Sequence, residues 1–470
     1  MNQRPDDDTG ILTPDAQMFR HVSMSELGLT GQLPSTTEGL AVELTLRIGD
    51  LLFGSGMSTQ DTILTMRRIL TAYGLARAQV DITHTSIIAS YYPGGGLPPI
   101  TSVRIVKTVV ANLSKVETVG RLVEEIVRGK PLGDAMRALD AIRATPLPYP
   151  VWVAILGESL ISVSIQLMYT TSPRMLLIAL VTGVLLNLFM RAMMRFALPP
   201  FFLQLSGAWL AVGFAAFASW ANGRIEFFDG VDPTLVALGC LWQLVAGMKF
   251  VAAVQDAIDT NYVTATARLL QVVMLTGGIV AGLVSGLIVL NRFGLEVYIS
   301  ATPLTQGALP VQVIGATALA AVYLVGNYAN GRTIVLASAM AALARVGYAM
   351  TLTSGFGPIA SNFVGAFAAA LLATLLVRKT AIPGFAIVAA AMIPLVPGSR
   401  LYYAMIQMVG TVNIAADMSL GINTLGVALG IGLAIAAGAS VGVFFGRPIG
   451  DRLMTLPRTW YDRMRTYHKE

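Results

Sequence analysis

The chain has 470 residues, of which 55% are hydrophobic and 12% charged, with a mean hydropathy of +0.68. Soluble proteins carry about 25% charged residues, so this composition excludes a soluble globular protein and predicts an integral membrane protein. Residues 1–150 hold 14 Lys+Arg against 15 Asp+Glu, and residues 151–470 hold 18 against 11. The positive excess thus lies among the apolar segments, where Lys and Arg flank membrane spans, and does not mark a nucleic-acid surface.

The single cysteine, Cys240, rules out an intrachain disulfide and a Cys-based metal site. The three histidines, His21, His84 and His468, all lie outside the apolar region. No metal or cofactor is expected.

In chain order, residues 1–37 are rich in Asp, Pro, Gly and Thr and are expected to be disordered. "MNQRPDDDTG" is acidic and lacks an apolar core, so it does not read as a signal peptide, and insertion falls to the first membrane helix. Residues 38–150 read as a small α/β domain. "LAVELTLRIGDLLFGSG" has helical spacing and stops at Gly54 and Gly56. "STQDTILTMRRILTAYG" follows, with Ser58 or Thr59 as N-cap and Gly74 closing it. "AQVDITHTSIIASYY" and "ITSVRIVKTVV" are β-branched and alternate, which predicts strands. "NLSKVETVGRLVEEIVRG" and "PLGDAMRALDAIRAT" return to helical spacing, and "TPLPYP" (145–150) breaks into the membrane region.

Ten apolar segments of about 20 residues, the length a bilayer requires, follow near 151–170, 175–190, 200–221, 233–254, 267–290, 311–329, 332–351, 358–377, 384–406 and 420–445. An even number puts both termini on one side. The tail, residues 447–470, carries six Lys+Arg and is expected in the cytoplasm. The connections then assigned inside hold Arg191, Arg195, Arg268, Arg332, Arg378 and Lys379. Those assigned outside hold Arg174, Arg224 and Arg292.

"LVAGMKFVAAV" (244–254) lies over "LVPGSRLYYAM" (395–405) when the chain is shifted by 151 positions. The flanking helices fall into similar register, which predicts two five-helix repeats, 151–290 and 311–446, joined by a loop at 291–310. Five is odd, so the second repeat must be inverted relative to the first. Paired Gly/Pro interruptions in inverted repeats point to a transport site. Gly247 in one half and Pro397-Gly398 in the other are therefore placed on the substrate pathway, the alternative being packing kinks. Lys249 and Arg400 each follow a break by two residues, as carboxylate ligands or gates; the alternative is snorkelling to the interface.

Further charges inside or beside the spans are candidates for proton coupling or gating. They are Glu158, Asp256, Arg268 and Arg345, with Asp256 expected to carry a proton or pair with Arg268, and Glu158 expected opposite Arg345. "GGIVAGLVSG" and "GASVGVFFG" carry small residues four apart, which favour close helix packing. In the N-terminal domain Asp81, His84 and Thr85 form a polar cluster, for which a structural role is the plainer reading. No Walker, HExxH or nucleophile-elbow context is present.

These motifs carry a resemblance. "RIGDLLFGSGMSTQDT", "AYGLARAQVDIT", "NLSKVETVGRLV", "QDAIDTNYVTATARLLQVVMLTGGIVAG" and "IPLVPGSRLYYAM" resemble the threonine/serine exporter family, from about residue 40 to 446. The resemblance implies ten membrane helices, a cytoplasmic N-terminal domain, a bacterial plasma membrane, and export of L-threonine and L-serine driven by the proton-motive force. Ala246-Gly247 stands where that family often has Pro-Gly, and Glu158 has no evident family counterpart.

The expected protein is thus an α-helical membrane exporter and not an enzyme. Its partners are small hydroxy amino acids, protons and membrane lipid, without nucleic acid; a homo-oligomer is compatible with the sequence. Two alternatives stand beside it: a membrane-anchored enzyme whose N-terminal domain is catalytic, and an exporter of another metabolite whose N-terminal domain is a sensor.

Overall fold

The computed structural model describes residues 37–94, 97–106, 112–245, 247–295, 304–377, 384–409 and 417–455. Of the expected disordered segment only Thr37 falls among them, as the first residue of α1. Arg378, Lys379, Ala246 and residues 456–470 lie outside the described residues.

The N-terminal domain is built around α1 (Thr37–Gly54). One side of α1, with Ala41, Val42, Leu46 and Phe53, packs on the buried side of a sheet. The other side, with Leu44, Ile48 and Leu52, packs on α3 (Leu113–Val127) and α4 (Leu132–Ala144). α2 (Thr59–Ala72) starts at Ser58, whose hydroxyl accepts from the Asp61 amide at 3.1 Å, and ends before Gly74 at φ +83°. The sheet is antiparallel in the order β1 (Gln79–Thr83), β2 (Ser86–Tyr91), β3 (Ile100–Ile105). Alternation buries Val80, Ile82, Ile87 and Ala89. The pairs Ile82↔Ile87 and Thr83↔Ser86 leave His84 and Thr85 as a two-residue hairpin tip.

The rest of the chain is helical: α5 (Val151–Leu167), α6 (Pro173–Met194), α7 (Pro200–Ala221), α8 (Pro233–Leu244), α9 (Gly247–Ile258), α10 (Tyr262–Arg292), α11 (Leu309–Gly326), α12 (Gly331–Thr353), α13 (Pro358–Val377), α14 (Gly384–Met392), α15 (Gly398–Val409) and α16 (Met418–Thr455). Among the described residues seven helices are long and apolar enough to cross a membrane, or nine when α8 with α9 and α14 with α15 each count as one bent span. α5 has 17 residues and stops short of the expected end at 170. At ~1.5 Å per residue that is ~25 Å, against a hydrocarbon core of ~30 Å. α16 runs on to Thr455, so the segment expected as a tail begins as helix.

Both bent pairs turn by 43°. In the second, Pro397 cannot donate to a helical ladder and pushes Val396 into extended backbone (φ −56°, ψ 131°), after a short 3-10 turn at Ile393–Leu395. In the first, Val245 is extended (φ −65°, ψ 125°) without any proline.

The two breaks touch each other. A Cβ on Gly247 would overlap the Val396 side chain, and a Cβ on Gly398 would overlap the Trp242 indole. Glycine pairs also set the outer packing. Gly278 and Gly282 of α10 lie against the Phe201 and Leu205 carbonyls of α7, and Gly438 and Gly442 of α16 against the Phe363 and Phe367 carbonyls of α13. α5 packs on α6 and α11 on α12, α7 on α8 and α13 on α14, α9 on α10 and α15 on α16, while α5 and α11 meet each other.

Gly398→Val is expected to destabilise the protein by about 1–3 kcal/mol through overpacking at the crossing. Gly426→Ala, with nothing within 4 Å of the added methyl, leaves the melting temperature unchanged or slightly raised. Thermal unfolding of the purified protein in detergent checks both.

Candidate functional site

The second break opens a cavity of about 70 Å³. A volume of this size holds several waters. Pro397, Ser399 and Arg400, at the amino end of α15, line one side. Arg345 and Tyr348 of α12 and Asn362 of α13 line another, with Trp242 of α8 and Gln306 closing it. Two guanidinium groups thus face one space, and among the described residues no Asp or Glu lines it. The amino end of a helix carries unpaired N–H groups and the positive end of its dipole. The combination suits a small anion or the carboxylate of a zwitterion.

The residues picked from sequence separate into two places. Pro397 and Arg400 line the cavity, and Gly398 sets its wall by its contact with Trp242. Gly247 supports the wall from behind through Val396, which itself lines the cavity. Lys249 is exposed and does not line it.

Asp256, Arg268 and His84 meet elsewhere, where the N-terminal domain docks on α9 and α10. Asp256 is fully buried and takes Arg268 Nη1 at 2.5 Å. The Arg268 guanidinium lies over the Phe53 ring of α1, 5.2 Å from its centroid. Thr59, at the start of α2, lies beside the Asp256 carboxylate. Thr264 donates to the Ile82 carbonyl at 3.2 Å. His84, at the hairpin tip, has a buried Nδ1 without a hydrogen-bond partner. Burial, and then the charges of Arg268 and Lys249, push its pKa below the usual value.

The same domain grips the connection between α11 and α12. The amides of Leu113 and Ser114 donate to the Asn327 and Tyr328 carbonyls at 3.0 and 3.1 Å. Glu117 of α3 accepts from Asn330 Nδ2 at 2.8 Å.

Two expectations need correction. Glu158 does not face Arg345: it takes Arg191 Nη2 at 2.7 Å. α5 and α6 are packed together, which brings the third turn of one beside the last turn of the other. Arg345 instead meets the side-chain oxygens of Gln312 and Gln306 and stacks on Tyr348 at 4.7 Å. Asp81, His84 and Thr85 do not form one site either. Asp81 and Thr85 are exposed, while His84 is turned toward α9 and α10. The hairpin tip turns the His84 side chain inward while its neighbour Thr85 stays exposed.

The sequence reading missed Gln306, Asn362, Tyr348 and Trp242. A neutral amide inside an apolar segment, such as Asn362 in "PIASNFVGAF", was the available signal.

Residues 43–290 match the family model described as "Putative threonine/serine exporter", and residues 311–441 match the one described as "Threonine/Serine exporter, ThrE". The chain belongs to the threonine/serine exporter family. It is similar to the "Probable threonine/serine exporter" of Mycobacterium tuberculosis (strain ATCC 25618 / H37Rv), 30% identical over 417 residues, 87% of this chain and 77% of the relative. It is also similar to the "Threonine/serine exporter" of Corynebacterium glutamicum, 28% identical over 428 residues, 89% of this chain and 84% of the relative. No solved structure matches it. This member of the exporter family is therefore a multi-pass membrane protein and a transporter rather than an enzyme.

Two outcomes follow for the docking interface. Asp256→Asn leaves Arg268 buried without its counter-charge and is expected to cost about 3–5 kcal/mol, read as a lower melting temperature. For His84 the docked state favours the neutral imidazole. Its contribution to docking is complete above pH ~6.5 and is lost as pH falls below that value. Limited proteolysis of the linker at 145–150 is therefore expected to accelerate on acidification, and His84→Gln should flatten that pH dependence.

Proposed function

We propose that this exporter moves L-threonine and L-serine out of the bacterial cell by alternating access across the plasma membrane, in exchange for protons. The observation that carries the reading is the cavity at the second break, where the amino end of α15 and Arg400 face the same space. The substrate carboxylate is assigned to this cavity, whose charged lining residues, Arg345 and Arg400, are both cationic. Carbonyls freed by the break would receive the ammonium group.

The proposed architecture has ten spans in two inverted halves: α5, α6, α7, α8 with α9 and α10, then α11, α12, α13, α14 with α15 and α16. Three matched features support it. Both broken spans bend equally. Both halves use glycines to seat the fifth span on carbonyls of the third. Both show the same order of neighbours. Ten spans put both termini in the cytoplasm. They also put the α9–α10 connection, the α11–α12 connection and Phe385 on one face. These are the places that touch the N-terminal domain, which agrees with a cytoplasmic domain at 38–150.

For proton coupling, Glu158 and Asp256 are the proposed acids. Each is engaged by an arginine, so a proton taken up by either would release Arg191 or Arg268. Lys249, exposed at the first break, is assigned to gating at the cytoplasmic mouth. The grip of the N-terminal domain on both halves favours a regulatory role for it within the exporter, and deleting residues 1–145 should shift the threonine level at which export begins.

Efflux of labelled threonine from proteoliposomes is expected to rise with an inward proton gradient and fall when the gradient is collapsed. No threonine flux, or flux indifferent to the gradient, contradicts the reading. Arg400→Gln should lower flux at least ~10-fold; undiminished flux would remove Arg400 from the mechanism.

A further inference from the structure

Arg345 is a buried cation with no anionic partner among the described residues. It is 3% exposed. Its guanidinium is met by Gln306 and by Gln312, the latter at 3.1 Å from Nε, and by the face of Tyr348. Among the described residues no Asp or Glu forms an ion pair with it. Arg400, the second cation of the same cavity, has no acid partner there either. Neutral amides satisfy the N–H groups of a guanidinium but leave its charge uncompensated, and burying an uncompensated charge is unfavourable. An anion arriving in the cavity removes that cost and accepts a bidentate pair that the glutamines can yield.

Asn362 stands on the neighbouring helix. Gly365 presses α13 against the Ala344 carbonyl of α12, beside Arg345, and also meets Leu395 of the second break. Asn362 lies one turn before Gly365, 4% exposed, and lines the cavity. Its Nδ2 donates to the Pro358 carbonyl at 2.7 Å, which fixes the orientation of the amide. Among the described residues no donor reaches Oδ1, which leaves it as an acceptor on a residue that lines the cavity.

We propose that Arg345 holds the carboxylate of the transported amino acid and that Asn362 Oδ1 accepts the hydrogen of its side-chain hydroxyl. The proposal rests on the exporter reading and deepens it. The site is then built for 2-amino-3-hydroxy acids. Valine has the shape of threonine without the hydroxyl and would leave Oδ1 unpaired, which sites of this kind penalise strongly. Threoninamide keeps the hydroxyl and the ammonium but offers Arg345 no charge.

The test is competition against labelled threonine efflux from proteoliposomes, with unlabelled threonine, threoninamide and valine as competitors. Wild-type protein is expected to prefer threonine to both analogues. Arg345→Gln should raise the half-saturating threonine concentration at least ~10-fold and bring threonine and threoninamide to near equality, while Arg345→Lys restores part of the difference. Asn362→Leu should leave the threonine/threoninamide ratio intact and lower the threonine/valine ratio at least ~10-fold. A purely structural arginine would lower total flux without changing the threonine/threoninamide ratio. An unchanged ratio in Arg345→Gln, or an unchanged threonine/valine ratio in Asn362→Leu, overturns the corresponding assignment. If Arg345→Gln does not fold, Arg345→Lys and Asn362→Leu still decide the matter. Absence of threonine flux in the wild type would instead overturn the exporter reading itself.

Discussion

Everything in the membrane part depends on two bent spans crossing at their glycines. Val396 fits against Gly247, and the Trp242 indole against Gly398, only because neither glycine carries a Cβ. The crossing holds both breaks together at one depth, with α8 against α15. Backbone that leaves a helix inside a membrane must find partners in protein or in a water-filled space. Here that space exists, and its charged lining is cationic on two sides. The break and the charges therefore belong to one device: an opening in the helix ladder that exposes helix ends and guanidinium groups to the same small volume.

The acids of the described spans sit outside that volume and are already engaged, Glu158 by Arg191 and Asp256 by Arg268. This separates the proposed carboxylate site from the acids proposed to take a proton. Asp256 and Arg268 also touch the N-terminal domain through Thr59 and Phe53. A change of charge on that pair is felt directly by the domain. Glu117 and the first turn of α3 hold the other half of the chain at Asn327, Tyr328 and Asn330. The domain thus bridges both halves, and relative movement of the halves must strain or release one of these grips.

Much of this was legible in the sequence. Hydropathy runs located the seven to nine candidate spans found among the described residues to within several residues, because the bilayer length imposes them. Ser58, Gly56 and Gly74 marked helix ends through capping and left-handed backbone, which are local rules. Pro397 announced its break, and the match 151 positions away announced the other. What stayed hidden was set by tertiary register. The partner of Glu158 depends on how α5 and α6 are offset, so a distant arginine, Arg345, looked as plausible as Arg191. His84, Asp81 and Thr85 are adjacent in sequence, yet a hairpin tip sends their side chains to different surroundings. Gln306 and Asn362 carried no charge to mark them, and only the fold brings them beside Arg345.

The central claim is that the second break is where substrate meets the protein. The most direct measurement places a single cysteine at Ser399, in a Cys240→Ala background, and follows its alkylation in membranes. Cys240 is fully buried, so its replacement leaves Ser399→Cys as the reporter. The account predicts that saturating threonine or serine slows the labelling several-fold and that valine does not. Labelling that proceeds at the same rate with and without threonine would contradict it.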